Sequence, residues 1–243
     1  DTDISPYDCG SYASSTTYVT GMAVIKTCES LRKKICERGA EYLGCSADDV
    51  EFDGQNVTNL KTGESISRQE IGNRVMCFNN EALSASEAFS SPTSPPPFMV
   101  GIAEVEVDKE TGVAEMVDYV AVVDCGTVVN PALARVQTEG GIAQGIGMAL
   151  FEDIVYNSKG RNYSNSFMQY KIPSRLDVGT IRVEFESSYE PTGPFGAKSI
   201  GEIVINTPSP AISNAIQNAT GVIIRELPMT AEKIYRGIQE KKG

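Results

Sequence analysis

The 243-residue chain reads as an α+β fold in which strand hairpins alternate with packed helices. Three features carry that reading. Apolar and charged residues alternate with period two in FMVGIAEVEV, where Ala103, Val105 and Val107 oppose Ile102, Glu104 and Glu106, so one face is buried. Apolar residues at three-and-four spacing recur between such strands, as helices require. No tandem repeat appears, and no apolar run reaches the ~18 residues of a membrane span.

In chain order, the polar opening DTDISPYDCGSYASSTTYVTG leads into a helix with Val24, Cys28, Leu31 and Ile35 on one face. Gly39, after Arg38, is the expected stop, giving roughly five turns. VEFDGQNVTN sets Val50 and Phe52 against Asp53-Gly54 as a small hairpin. Ser67 to Glu70 forms a capping box ahead of Ile71 and Val75, which predicts a short helix. The Ser- and Pro-rich stretch 79–97 reads as a connector, dividing an N-terminal lobe, 1–97, from a C-terminal lobe, 98–243. Two strands then meet at a turn over Lys109 to Gly112. Asn130-Pro131 caps and opens a long helix reaching about Glu152. A third strand, TIRVEFESSY, precedes helices from Pro208 to about 219 and from Thr230, whose cap is followed by Glu232.

Composition narrows the chemistry. At 41% hydrophobic and 22% charged residues the chain is globular, and its length allows roughly 70% of the extended surface to be buried. A net charge of -11 opposes nucleic acid as the main partner, since phosphate binding needs a basic stripe. The densest basic cluster, Arg32, Lys33 and Lys34, is read as a solvated helix face. The absence of histidine excludes Ser-His-Asp and Cys-His catalysis and every His-ligated metal site within the chain. Proton transfer must fall to a carboxylate, lysine, tyrosine or cysteine, or to an external cofactor. The six cysteines, Cys9, Cys28, Cys36, Cys45, Cys77 and Cys125, show no CxxC spacing, so no zinc or iron-sulfur ligand set is written here. They are expected to be buried free thiols in a reducing cytoplasm; Cys9 and Cys125, each next to a glycine, stand out. The chain begins at Asp1 with neither methionine nor leader and is read as a piece of something longer.

Three stretches carry chemistry. The helix NPALARVQTEGGIAQGIGMALFE contains Gly140, Gly141, Gly145 and Gly147, each costing roughly 0.8–1 kcal/mol against alanine, so something is expected to approach that backbone closely. Tight packing of another element explains this; so does a ligand, because the amides of Gln137 and Gln144, seven apart, can pair with a flat heterocycle. In GSYASSTTYVTG, Ser14, Ser15, Thr16 and Thr17 exceed what capping requires, and hydroxyls before a helix form an anion cradle. TGPFGAKSIGE has Gly, Lys and Ser after a strand but fails the phosphate-loop pattern, with Ala197 where glycine should precede Lys198. Its glycines allow a bulky ligand near, and Glu202 is either a surface carboxylate or projects into the same cavity.

Together these stretches resemble the molybdopterin-binding region of the xanthine dehydrogenase and aldehyde oxidase family, the molybdenum hydroxylases. The resemblance runs in order through ASS at the start, AEVEVDKETG, VDCGTVVNPALARVQTEGGIAQGIGMALFE, YKIPS, GAKSIGE and TAEKI. It places the chain in the C-terminal part of the family's molybdenum subunit. It implies that Glu202 is the catalytic base, taking a proton from a hydroxyl on molybdenum, and that Gln137 hydrogen-bonds the pterin. By the same resemblance Ala13 lies beside metal and substrate, Ser14, Ser15 and Thr16 hold the cofactor, and Lys198 supports the pterin. Tyr12 departs from the small residue expected in purine-oxidising members. The implied cofactor is molybdopterin, as mononucleotide or cytosine dinucleotide, so the protein supplies no metal ligand. The implied partners are the N-terminal remainder of the subunit, [2Fe-2S] and FAD subunits or domains, and a heterocycle or aldehyde substrate, within a dimer of the full complex. A carboxylate base in a closed, glycine-lined pocket would have its pKa raised by desolvation. The competing reading is an assembly domain with a vestigial site.

Overall fold

The structure, a computed structural model, describes residue 3, residues 7–8 and residues 10–242. Cys9 therefore lies outside the described residues. The chain divides into two compact units: Thr17–Thr93, and Asp1–Thr16 together with Ser94–Gly243. The hydroxyl-rich opening thus groups, up to Thr16, with the C-terminal part of the chain.

In the 17–93 unit, helix α1 (Gly21–Leu43) runs past the expected stop. Gly39 is internal and buried because Val57 packs against its bare Cα; a Cβ there would stand 2.7 Å from Val57 Cγ1. The helix ends instead at Gly44, which takes φ 66 and lets the chain turn back on the last carbonyls. The hairpin β1 (Val50–Phe52) and β2 (Asn56–Asn59) pairs Val50 with Asn59, and a third short strand, β3 (Ser65–Ser67), adds to β2. Ser67 then caps α2 (Arg68–Phe78), its hydroxyl accepting from the Glu70 N–H at 3.2 Å. Val57, Ile66, Ile71 and Val75 form the core, with Ile35, Tyr42 and Leu43 of α1 packed on it. The connector is tied to α1: Lys34 Nζ donates to the Ser84 carbonyl at 2.7 Å, and Arg38 reaches Glu81 at 3.0 Å. Part of the basic face is therefore engaged rather than solvated.

The larger unit is built on an antiparallel hairpin, β4 (Phe98–Val107) and β5 (Ala114–Asp124), joined by a turn in which Asp108 accepts from Glu110 and Thr111. Alternate β4 residues are exposed, as the sequence pattern requires. Strand β6 (Thr180–Phe185) lies parallel to β5, pairing Ala121 with Val183, so the chain must cross over. Helix α3 (Pro131–Leu150), capped by Asn130 Oδ1 at 3.1 Å, lies within that crossover. It ends at Leu150, slightly short of the expected Glu152. Helices α4 (Ile203–Asn206), α5 (Pro208–Thr220) and α6 (Ala231–Lys242) follow. Tyr119, Ile142, Ile146, Val183, Ile212, Ile216 and Ile234 form the core between sheet and helices. Within it the Tyr119 hydroxyl is bonded to Thr207 Oγ1 at 2.8 Å, which removes the cost of burying a phenol unpaired.

Candidate functional site

The opening segment makes a tight turn in which the Ser15 N–H donates to the Tyr12 carbonyl at 3.1 Å. Its central residues, Ala13 (φ 49) and Ser14 (φ 55), are both left-handed, a conformation that costs a side-chain-bearing residue roughly 1–2 kcal/mol. Ser14 Oγ donates to Glu202 Oε2 at 3.1 Å, across 188 residues of sequence. Between them lies Gly201: a Cβ there would be 2.8 Å from Ser14 Oγ and 3.6 Å from Gln137 Nε2. The bare glycine therefore lets three distant segments meet. Glu202 itself stands just before α4, makes no side-chain capping bond and is exposed. The closed pocket expected around it does not enclose it in this structure, where its side chain is exposed.

Helix α3 owes its position to its glycines. A methyl at Gly141 would overlap Val204, and one at Gly145 would lie 2.6 Å from Pro208 Cγ, so α4 and α5 press directly on that face. The start of α4, where Glu202 sits, is fixed by this contact. Gly147 is filled from the side by Glu152 and Pro173. Gly140 differs from expectation: nothing lies within 4 Å of where its Cβ would be. It opens outward between the exposed residues Gln137 and Gln144. Those two amides stand about 10 Å apart along the helix. Neither bonds to any described residue. The result is a polar, sterically open stripe beside Glu202.

Lys198 is placed differently from the glutamines. Its side chain is 9% exposed and turns inward, with Nζ 2.7 Å from Asp124 Oδ2, 3.4 Å from the Pro96 carbonyl and 5.5 Å from the centre of the Phe98 ring. Asp124 also accepts from Ser188 Oγ at 2.6 Å and from the Gly126 N–H at 2.9 Å. Burial pushes the Asp124 carboxyl up, but the Lys198 ammonium, the Ser188 hydroxyl and the Gly126 N–H outweigh it, and its pKa falls below the ordinary value of 3.8. Cys125, beside it, is buried, and burial together with the Asp124 charge raises its pKa, which disfavours the thiolate. Among the described cysteines it is the buried one; Cys28 and Cys77 are exposed, and Cys36 and Cys45 lie between. The uniform burial expected of the thiols is thus not what the helices provide, since Cys28 faces outward on α1.

The structure brings Ser14, Gln137 and Glu202 together. It leaves Gln144 two turns along α3, Ser15 half-buried and Thr16 exposed at the start of the following helical turn. Asp124 and Ser188 escaped the sequence reading. For Asp124 the available signal was a carboxylate directly before Cys-Gly at a strand end, where side chains commonly bond the turn. Among the described residues no three Cys, Asp or Glu side chains are gathered as a metal-binding set. The groups that do converge, the Gln137 amide and the Ser14 hydroxyl beside Gly201, suit hydrogen bonding to an organic heterocycle, and the Glu202 carboxylate suits a proton acceptor.

Comparison with known proteins gives the family. A family model described as the molybdopterin cofactor-binding domain matches residues 1–179. The chain is 35% identical over 245 residues to a protein of Escherichia coli (strain K12) named "Probable hypoxanthine oxidase", covering 99% of this chain and 25% of that protein. It is 31% identical over 248 residues to the gamma subunit of the 6-hydroxypseudooxynicotine dehydrogenase complex of Paenarthrobacter nicotinovorans, covering 98% of this chain and 31% of the relative. The chain thus spans about a quarter to a third of these relatives. The solved structure of quinoline 2-oxidoreductase from Pseudomonas putida 86 superimposes with a TM-score of 0.87 at 26% identity, covering 98% of this chain and 32% of the other. With the family match, the shared fold and the donor set pointing the same way, the chain belongs to the molybdopterin cofactor-binding domain family of the molybdenum hydroxylases.

Proposed function

We propose that this chain is the cofactor-holding, base-supplying part of a xanthine dehydrogenase-like molybdenum hydroxylase that oxidises a purine or another N-heterocycle. The observation that carries the reading is the meeting of Ser14, Gln137 and the Gly201-Glu202 pair from three remote segments. Relatives named for hypoxanthine and for xanthine, and a structural neighbour named for quinoline, support an electron-poor ring as substrate.

A bound molybdopterin would supply a two-electron redox centre with its own metal ligands, which is why the chain needs no histidine. The residues of the chain do the rest. Gln137 holds the pterin edge through its amide, and Gln144 extends that stripe along α3. The open face at Gly140 admits a flat ring against the helix. Ala13, Ser15 and Thr16 line the approach, their turn set by the left-handed pair Ala13 and Ser14. The Ser14 hydroxyl fixes Glu202 through Oε2, leaving Oε1 free to take the proton. Lys198 supports the cofactor from behind by holding the loop. The remainder of the subunit closes the pocket, and partner iron-sulfur and flavin subunits or domains carry electrons away. On this reading the chain alone does not turn over.

The test uses the full-length protein isolated with its partners. Replacing Glu202→Gln is expected to lower kcat by about 100 to 10,000-fold, the loss typical of a general base, with molybdenum content unchanged. Full activity in that variant would move the base elsewhere. A folded, assembled wild type without molybdenum would favour the assembly-domain reading instead.

A further inference from the structure

We propose that Asp124 is a positioning residue for Glu202, acting through Lys198; the claim rests on Glu202 being the base. The loop that ends at Glu202 is anchored at its root on the end of β5. The Thr127 N–H donates to the Gly196 carbonyl and the Lys198 N–H to the Cys125 carbonyl, both at 2.8 Å, and Gly126 bridges Ala197. Those bonds fix the backbone. The side chain of Lys198 then locks the loop from within.

The ammonium of Lys198 is turned into the protein: it donates to Asp124 and to the Pro96 carbonyl and lies 5.5 Å from the centre of the Phe98 ring. Asp124 is in turn held rigid, with Oδ1 shared by Ser188 and Gly126 and Oδ2 by the lysine. A nearly buried lysine ion-paired in this way serves first to hold its own loop. Only Ser199, Ile200 and Gly201 separate it from Glu202, so any change in where Lys198 rests is passed to the carboxylate. Glu202 is thereby placed from two sides, by Ser14 at its oxygen and by the Asp124-Lys198-Ser188 group at the base of its loop. A catalytic group displaced by about 1 Å loses on the order of 100-fold in rate, which is the scale of effect such an anchor controls.

The experiment is a double-mutant cycle in the full-length protein with its partners, using Asp124→Asn, Glu202→Gln and the pair together, with Ser188→Ala as a milder variant. Molybdenum content, KM, kcat and hydrogen exchange of the 196–202 amides are read for each. Asp124→Asn is expected to lower kcat by about 100-fold and Ser188→Ala by less. Molybdenum content and KM should stay near wild type while the loop amides exchange faster. In the Glu202→Gln background, Asp124→Asn should add nothing, because the residue it positions is already disabled. Additive losses, or unchanged exchange in the loop, would overturn the proposal, as would loss of molybdenum in Asp124→Asn. If Glu202→Gln alone left kcat intact, the base assignment would fall, and loop exchange would still decide whether Asp124 anchors the loop. Should Asp124→Asn fail to fold, Ser188→Ala carries the same cycle.

Discussion

The two units treat the left-handed region of backbone space in opposite ways. In the 17–93 unit it is occupied by Gly44, Gly54 and Gly63, and by Asn80, the side-chain-bearing type that tolerates it best. In the larger unit three residues with no such excuse, Ala13, Ser14 and Phe195, occupy it as well. All three lie on the segments that lead to Glu202. The smaller unit also keeps its other local rules, with a serine cap at Ser67 and ion pairs at Arg38. The larger one buries a lysine, Lys198, against a carboxylate. Departures from local preference persist only where surrounding structure holds them, and they gather at sites that act on ligands. The contrast therefore separates scaffold from working surface.

The strongest challenge to this contrast comes from the scaffold side. Ile71→Ala, at a position with no exposure, should cost about 2–5 kcal/mol in urea unfolding while leaving molybdenum content per folded molecule unchanged. Loss of the metal without loss of stability would erase the distinction. A smaller pair of changes sharpens it within one helix. Gly141→Ala should destabilise by about 1–3 kcal/mol, because Val204 already occupies the space. Gly140→Ala should stabilise by up to about 1 kcal/mol, since nothing stands in the way, yet lower molybdenum content if that face receives the cofactor.

Acid probes the loop anchor. The Asp124 carboxyl lies below its ordinary value in the folded chain, so its contribution is complete above pH 3.8 and is lost as pH falls through the depressed value. Asp124→Asn should flatten that acid limb in thermal melts. Glu190, whose carboxyl is also held low, chiefly by the Thr192 hydroxyl, is tested by Glu190→Gln as the control. The smallest effect is expected at Phe195, which is 74% exposed at φ 53. Phe195→Gly should gain up to about 1 kcal/mol by relieving the left-handed strain, at the expense of activity if the ring meets substrate.

What could be read in advance follows the reach of the forces involved. The cap at Ser67, the turn at 109–112, the Asn130 start of α3 and the alternation of β4 are decided by residues within a few positions of one another. Gly39 misled because its role is to receive Val57, a partner no local pattern names. The strand β3 was missed because three residues, Ser65 to Ser67, give too short a run to show a period. At the site, Glu202 and Gln137 were singled out through motif resemblance, whereas Asp124 was not: its lysine lies 74 residues away. The glycines of α3 were rightly singled out, but only the fold could tell which of them pack and which stays open.

The 188-residue span of the Ser14-Glu202 hydrogen bond also sets an order of events during synthesis. The turn at Ala13 and Ser14 leaves the ribosome first, and its partner carboxylate emerges only after Gln137 and the whole crossover helix. Until Glu202 has been made, the Ser14 hydroxyl lacks this partner, whatever has already folded around it. Among the described residues, the one side-chain contact that ties the opening turn to the Glu202 loop is thus the last of this site to become possible.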